Sequence, residues 1–338
     1  ISACLVGSEM CIRDSALTGT NRSSPMTTWT TMRTACGAIC LAGSLSMGDP
    51  AKAAEFGLSG YIFGLVLPMS GYTPPPGVYF WDTFVLYQGS GNLFPAIGSR
   101  SSTRVTENFV ADIAIVGWFP DFKLFGADPG FAATVPFGSN RASANVTIAA
   151  KRFSLADEVT SIGDTEYSAI LGWHAGEQHW NVTLTGFAPT GNIETNRLSL
   201  TGLNRPALDL KGAYTYLGLQ TGLEVTGALG VKLNAPNTTT NYQSGTELHF
   251  EWALNQHFPF GLAAGVGGYF YQQVTNDHGS GDQFGAFRGR VAAVGPLLSY
   301  ALKAGAQEVD FSARWFHEFA VQNRVRADLI YASFSFPL

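Results

Sequence analysis

The sequence predicts an all-β chain, closed as an antiparallel transmembrane β-barrel of about twelve strands. Three observations carry this. Residues 246–255 alternate strictly, with Leu248, Phe250, Trp252 and Leu254 on one face and Glu247, His249, Glu251 and Asn255 on the other. Such alternation marks a strand with one apolar and one polar face. Charged residues are 13% of the 338, roughly half the usual share for a soluble domain, while aromatics reach 13% and Gly numbers 39. Connections along the chain alternate between short turns and long polar loops, the habit of outer-membrane barrels. Charges at every second position do not line a dry sandwich core; they suit an enclosed aqueous interior whose outer wall meets lipid. A soluble β-sandwich would place them on outer faces, with loops of similar length at both ends.

The first 53 residues fall outside that fold. Residues 1–15 fit nothing downstream and resemble a translated sequencing adapter, so residues 1–25 are expected to be non-native or upstream sequence. Residues 26–53 have the order of a secretory signal. Met26 or Met32 starts it, Arg33 supplies the positive region, residues 35–47 the apolar run, and Ala51-Lys52-Ala53 the cleavage site. Cys4, Cys11, Cys36 and Cys40 all lie in this stretch, so the body has no disulfide framework, thiol nucleophile or cysteine zinc site. No apolar run reaches the roughly eighteen residues of a helical span. A formal net charge of −5 offers no basic surface for nucleic acid.

Residues 54–77 are rich in Gly and Pro and end in Pro74-Pro75-Pro76-Gly77, which cannot donate to a strand ladder. They form either an ordered leader or a short plug in the barrel mouth. The barrel is expected over residues 78–338. Its strands are expected at 78–88, 105–118, 124–137, 164–174, 178–188, 207–217, 221–233, 245–256, 261–274, 285–301, 308–319 and 323–336. A weaker run at 142–149 either extends the third strand or raises the count to fourteen. Short turns near 120–121, 175–177, 218–221, 258–261 and 304–307 face long loops at 89–104, 138–163, 190–206, 234–244 and 275–284, with 320–322 the one short link among the long. An even count puts both ends in the periplasm, and the protein in the outer membrane of a Gram-negative bacterium.

Alternation turns a set of ionisable side chains inward: Asp82, Asp209, Lys211, Glu224, Lys232, Glu247, His249, Glu251, Arg288, Arg290, Asp310, Arg314 and Glu318. Mixed signs brace and hydrate an interior, and the same groups could act as a selectivity filter. Phe316, Tyr269 and Tyr271 also fall inward, as filling or as stacking steps for an aromatic solute. Trp180, Trp252 and Trp315 fall outward, toward lipid or its interfacial girdles. Glu247, His249 and Glu251 share a face, but a carboxylate-lined interior explains them better than a metal. His317 and Glu318 are adjacent on a strand and cannot share a site. No motif for covalent catalysis stands out, and no cofactor is implied.

Several motifs resemble the "meta-pathway of phenol degradation" outer-membrane family. They are Pro74-Pro75-Pro76-Gly77-Val78-Tyr79-Phe80, Leu171-Gly172-Trp173-His174, Ala188-Pro189-Thr190-Gly191, Asn241-Tyr242-Gln243-Ser244-Gly245-Thr246-Glu247-Leu248-His249, Val266-Gly267-Gly268-Tyr269-Phe270-Tyr271-Gln272-Gln273, Gly289-Arg290-Val291-Ala292-Ala293-Val294-Gly295-Pro296, Trp315-Phe316-His317-Glu318-Phe319 and Phe334-Ser335-Phe336-Pro337. The family is similar in plan to the fatty-acid and toluene outer-membrane channels. The resemblance implies a non-enzymatic barrel in membrane lipid that takes up small hydrophobic or aromatic compounds. An outer-membrane hydrolase and a closed structural or adhesive barrel remain the alternatives.

Overall fold

The computed structural model describes residues 59–94, 101–148, 151–191, 197–280, 288–305 and 307–338. The expected upstream segment and signal peptide lie outside the described residues. Thirteen strands follow the leader: β1 (Gly77–Phe94), β2 (Ser101–Phe119), β3 (Asp128–Ile148), β4 (Lys151–Ile162), β5 (Thr165–Ala175), β6 (Gln178–Ala188), β7 (Ala207–Leu217), β8 (Leu223–Asn234), β9 (Glu247–His257), β10 (Leu262–Gln273), β11 (Arg290–Ala304), β12 (Gln307–Gln322) and β13 (Arg326–Pro337). Among the described residues there is no helix.

Twelve of these strands close a ring. Every neighbour pair is antiparallel, and β1 completes the circle by pairing with both β2 and β13. Closure leaves no sheet edge in the ring, the condition for placing backbone polar groups in hydrocarbon. The thirteenth strand, β4, stands outside it. β3 is long enough to serve two partners: Asp128–Thr134 pairs with β5, and Phe137–Ile148 pairs with β4. The run at 142–148 therefore extends the third strand. The stretch expected as a loop at 138–163 is largely a β3–β4 hairpin. Its exposed Lys151, Arg152 and Glu158 give it the polarity of a loop, while the backbone ladder gives it the geometry of a sheet.

Both ends of the ring lie at one rim, with the turns after β2, β5, β7, β9 and β11. The turn before β3 is tightened by a Leu124–Ala127 bridge, with Phe125 at φ 53° and Gly126 at φ 77°. The opposite rim carries the longer loops and one tight link, residues 323–325, between β12 and β13. At this loop rim Arg197 pairs with Asp157 of β4 at 2.8 Å, and the amides of Leu198 and Ser199 donate to the same carboxylate at 3.0 and 3.1 Å. The hydrogen-bonded guanidinium beside it holds the Asp157 carboxyl below its ordinary range.

The two faces separate cleanly. On β7, Asp209, Lys211 and Thr215 are buried while Leu208 and Leu210 are 53% and 56% exposed. On β8, Glu224, Thr226 and Lys232 are buried and Leu229 is 52% exposed. Trp180, Trp252 and Trp315 lie on the outer face, as expected, and Phe258 and Phe260 stack at the short-turn rim. Over β6–β10 the exterior is thus an apolar wall, the arrangement a lipid surround requires, while Asp82 and Asp112 interrupt it on β1 and β2. A charge in the middle of that wall should be costly. Leu229→Arg is expected to destabilise the barrel by about 2–4 kcal/mol, read by denaturant unfolding in lipid vesicles, whereas Leu229→Phe should be near neutral.

Candidate functional site: the barrel interior

The interior is filled around the leader. Tyr61, Phe63 and Leu67 are buried among inward side chains of β9, β10, β12 and β13. The leader has little regular structure, so its backbone polar groups need partners from the wall. Glu251 accepts from Tyr61 Oη at 2.5 Å and from the Gly64 amide at 2.9 Å. Glu224 accepts from the Met69 amide at 2.9 Å, and Thr215 from the Gly71 amide at 3.0 Å. Arg314 donates to the carbonyls of Gly64 at 3.1 Å and Leu65 at 2.9 Å, and to that of Leu67. Tyr331 Oη donates to the Phe63 carbonyl at 2.6 Å, and Asn181 Nδ2 to that of Ser70 at 2.7 Å. The fit is close. A Cβ on Gly172 of β5 would lie 1.9 Å from Thr73 Oγ1, which gives one physical reason for the glycine in the Leu171-Gly172-Trp173 motif.

The inward charges form paired groups. Glu247 sits 3.4 Å from Arg205 and 3.7 Å from Lys232, accepts from Asn234 at 2.8 Å, and receives the Ser59 hydroxyl. His249 bonds Asp209 at 2.9 Å, and its ring lies 3.9 Å from that of Tyr61. Across the bore Glu318 accepts from Tyr269 Oη at 2.9 Å, from the Ala327 amide at 2.8 Å and from Arg324 at 3.4 Å. Glu224 takes Asn255 at 3.0 Å, Thr226 at 2.8 Å and His257 at 2.8 Å. Phe63 sits in an aromatic cage, 5.3 Å from Tyr269 and 5.0 Å from Tyr271, with the Arg324 guanidinium 5.7 Å from its own ring.

Of the sequence-predicted set, Asp209, Lys211, Glu224, Lys232, Glu247, His249, Glu251, Arg314 and Glu318 are buried in this interior. Asp310 shares the inward parity of Arg314 and Glu318, and lies exposed near the short-turn rim. Three residues depart from the expectation. Asp82 follows the outward parity of Val78 and Phe84, so its carboxylate is on the outer face. Arg290 faces outward, on the parity of the exposed Val294, Leu298 and Tyr300 of β11 and opposite to the buried Val291 and Ala293. Arg288 precedes the strand, is exposed and bonds Asn276 at 2.6 Å. The interior also departs from a water-lined lumen. Glu224, Glu251 and Glu318 are 0% exposed, and carboxylates so shielded require the partners the leader and the wall supply. The expected inward aromatics Phe316, Tyr269 and Tyr271 are buried in the same packing.

Sequence reasoning missed Arg205, Glu107, Arg324 and the leader's Tyr61. Arg205 carries the inward parity of Asp209 and Lys211, two residues ahead of β7, so extending the alternation would have found it. Glu107, bonded by Asn140 at 3.1 Å, has the parity of the buried Ala111 and Ile113. Arg324 enters from the tight β12–β13 link, and no periodicity marks it. Among the described residues no cluster of three or more His, Cys, Asp or Glu has the geometry of a metal site.

The sequence pattern of the family described as "MetA-pathway of phenol degradation" matches residues 91–334. The chain belongs to this family. No curated protein matches this family member. Among solved structures it is similar to the COG4313 outer membrane channel from Pseudomonas putida F1, at 14% identity and a TM-score of 0.57, over 79% of this chain and 98% of that one. More distant likenesses are to the CymD monoaromatic hydrocarbon channel, at 7% identity and TM-score 0.39 over 78% and 88% of the two chains, and to a Pseudomonas aeruginosa FadL homologue, at 7% and 0.35 over 77% and 88%. At these identities the likeness is one of fold: the phenol-degradation family member has the twelve-stranded ring of an outer-membrane barrel.

The ion-paired interior predicts a large single-site effect. Glu247→Ala leaves Arg205 and Lys232 buried without their carboxylate and is expected to destabilise the barrel by about 3–5 kcal/mol, measured by urea unfolding of vesicle-reconstituted protein. Asp310→Ala, at the exposed mouth, should cost less than about 1 kcal/mol.

Proposed function

We propose that this protein is an outer-membrane channel for passive entry of small hydrophobic or aromatic molecules, and that residues 59–76 plug it at rest. One observation carries this: the bore is occupied by a chain segment, held by side chains that a solute could engage in its place. Glu251 and Arg314 bind the leader through hydrogen bonds to Tyr61 and to main-chain groups, contacts separate from the antiparallel ladder that closes the ring. When Phe63 withdraws, it vacates a cage of Tyr269, Tyr271 and the Arg324 guanidinium. That cage matches an aromatic solute in shape and π-surface. Membership of the phenol-degradation family supports the solute class. The charged network around the cage is then bracing first and filter second.

The non-enzymatic reading is part of this proposal. On the outer face His317 bonds Asp328 at 2.9 Å, but the residue opposite it on β11 is Val294. No serine stands there to complete a hydrolytic relay. The filled bore favours one other reading, a permanently closed structural barrel.

Reconstituted protein should raise entry of a monoaromatic solute into liposomes above empty controls. Arg314→Gln, which removes the grip on three leader carbonyls, should raise single-channel conductance several-fold. Absence of flux in the wild type together with unchanged conductance in Arg314→Gln would establish the closed barrel instead.

A further inference from the structure

The outer face of the β1–β4 extension, on the loop-rim side of the apolar wall, carries a basic surface that transport does not use. Ladder β2–β3 runs without a break from Ser101–Ile148 to Trp118–Phe131, so parity is continuous along it. On β2 the outward residues Trp118, Val116 and Val110 lead up to Arg104. On β3 the outward residues Phe131, Val135 and Phe137 lead to Arg141 and Asn145. Arg152 of β4 faces Thr147, two positions beyond Asn145. All three arginines are exposed; Arg141 has Glu158 of β4 directly across from it on the same face, whereas Arg104 and Arg152 face Asn145 and Thr147. Arg104 and Arg152 flank a shallow concavity of about 390 Å³, whose other lining residues are Asn92, Asn145 and Thr147.

Position gives this surface its meaning. Val110 is the last exposed apolar residue on the outward row of β2. Arg141 lies one outward row above the Val110–Ser139 pair, and Arg104 six residues beyond Val110. Six residues span about 20 Å along a strand, or about 15 Å of height at the usual barrel tilt. Arg141 therefore stands at the headgroup plane, and Arg104 and Arg152 stand in the sugar layer above it. With a net charge of −5, the Arg104–Arg152 pair set among amide and hydroxyl side chains is a local feature of this face and not a general one. Guanidinium forks bind phosphate oxygens bidentately, and amide and hydroxyl side chains between them suit sugar hydroxyls.

We propose that this face binds a phosphorylated sugar headgroup of the surrounding outer leaflet, with Arg104 and Arg152 holding phosphate over Asn145 and Thr147, and Arg141 at its membrane edge. The site needs only the barrel's membrane setting and is independent of what passes through the bore.

The full chain in detergent is titrated with a lipopolysaccharide whose inner-core sugars are phosphorylated, with the same lipid stripped of phosphate, and with inorganic phosphate alone. Binding is read by native mass spectrometry. The wild type should bind the phosphorylated lipid and lose at least about tenfold in affinity for the stripped lipid. Arg104→Gln with Arg152→Gln should weaken binding of the phosphorylated lipid by a similar factor. Lys123→Gln with Lys303→Gln, which removes two charges near the short-turn rim, should leave it unchanged. Equal binding of the stripped lipid, equal binding by the arginine double variant, or equal loss in the lysine variant would overturn the proposal. Inorganic phosphate bound as tightly as the lipid would mark a free-anion site and overturn the assignment to lipid.

Discussion

The organising constraint of this molecule is that ionisable side chains inside the ring are shut away from water and must be satisfied by protein. Alternation places them there automatically, because every second residue of a barrel strand points inward. Burial then makes each one expensive unless it is paired. Glu247 between Arg205 and Lys232, Asp209 against His249, and Glu318 against Arg324 meet that demand between side chains. Glu251, Glu224 and Arg314 meet it through the leader. The leader and the wall are therefore mutually dependent: irregular backbone gains hydrogen-bond partners, and buried charge gains dipoles.

Most of the wall was legible in the sequence. The expected strands 178–188 and 207–217 are β6 and β7 as observed, because lipid outside and polar interior inside impose the sharpest possible period of two. The motifs of the family resemblance fall in the same ordered series along the ring. Legibility fails where one of the two media is missing. β4 has no lipid-facing duty over most of its length, so its polar residues read as a loop. The continuation of β1 to Phe94 is rich in Gly and Ser and was hidden for a similar reason.

The interior was legible by class and not by contact. Strict parity identifies nine of the buried charges, while Asp82 lies outward on the parity of Phe80 and Phe84, a carboxylate in a row of β1 otherwise apolar there. The pairing of Arg324 depends on a link of three residues, and the course of residues 59–76 depends on tertiary contacts up to 268 positions away, from Tyr331 to Phe63. Neither leaves a periodic trace. What periodicity cannot encode is which wall position meets which segment threaded past it.

The seam between β1 and β13 has a kinetic corollary. These are the first and last strands of the ring, joined over twelve residue pairs from Tyr79–Pro337 to Ser90–Arg326, so their docking is the strand pairing that spans the greatest length of chain. Loop-closure entropy places such contacts late. The leader is covalently continuous with β1, and its pocket draws on strands far around the ring as well as on β12 and β13 beside the seam. Closing this seam and seating the N-terminal thread therefore involve the same end of the chain.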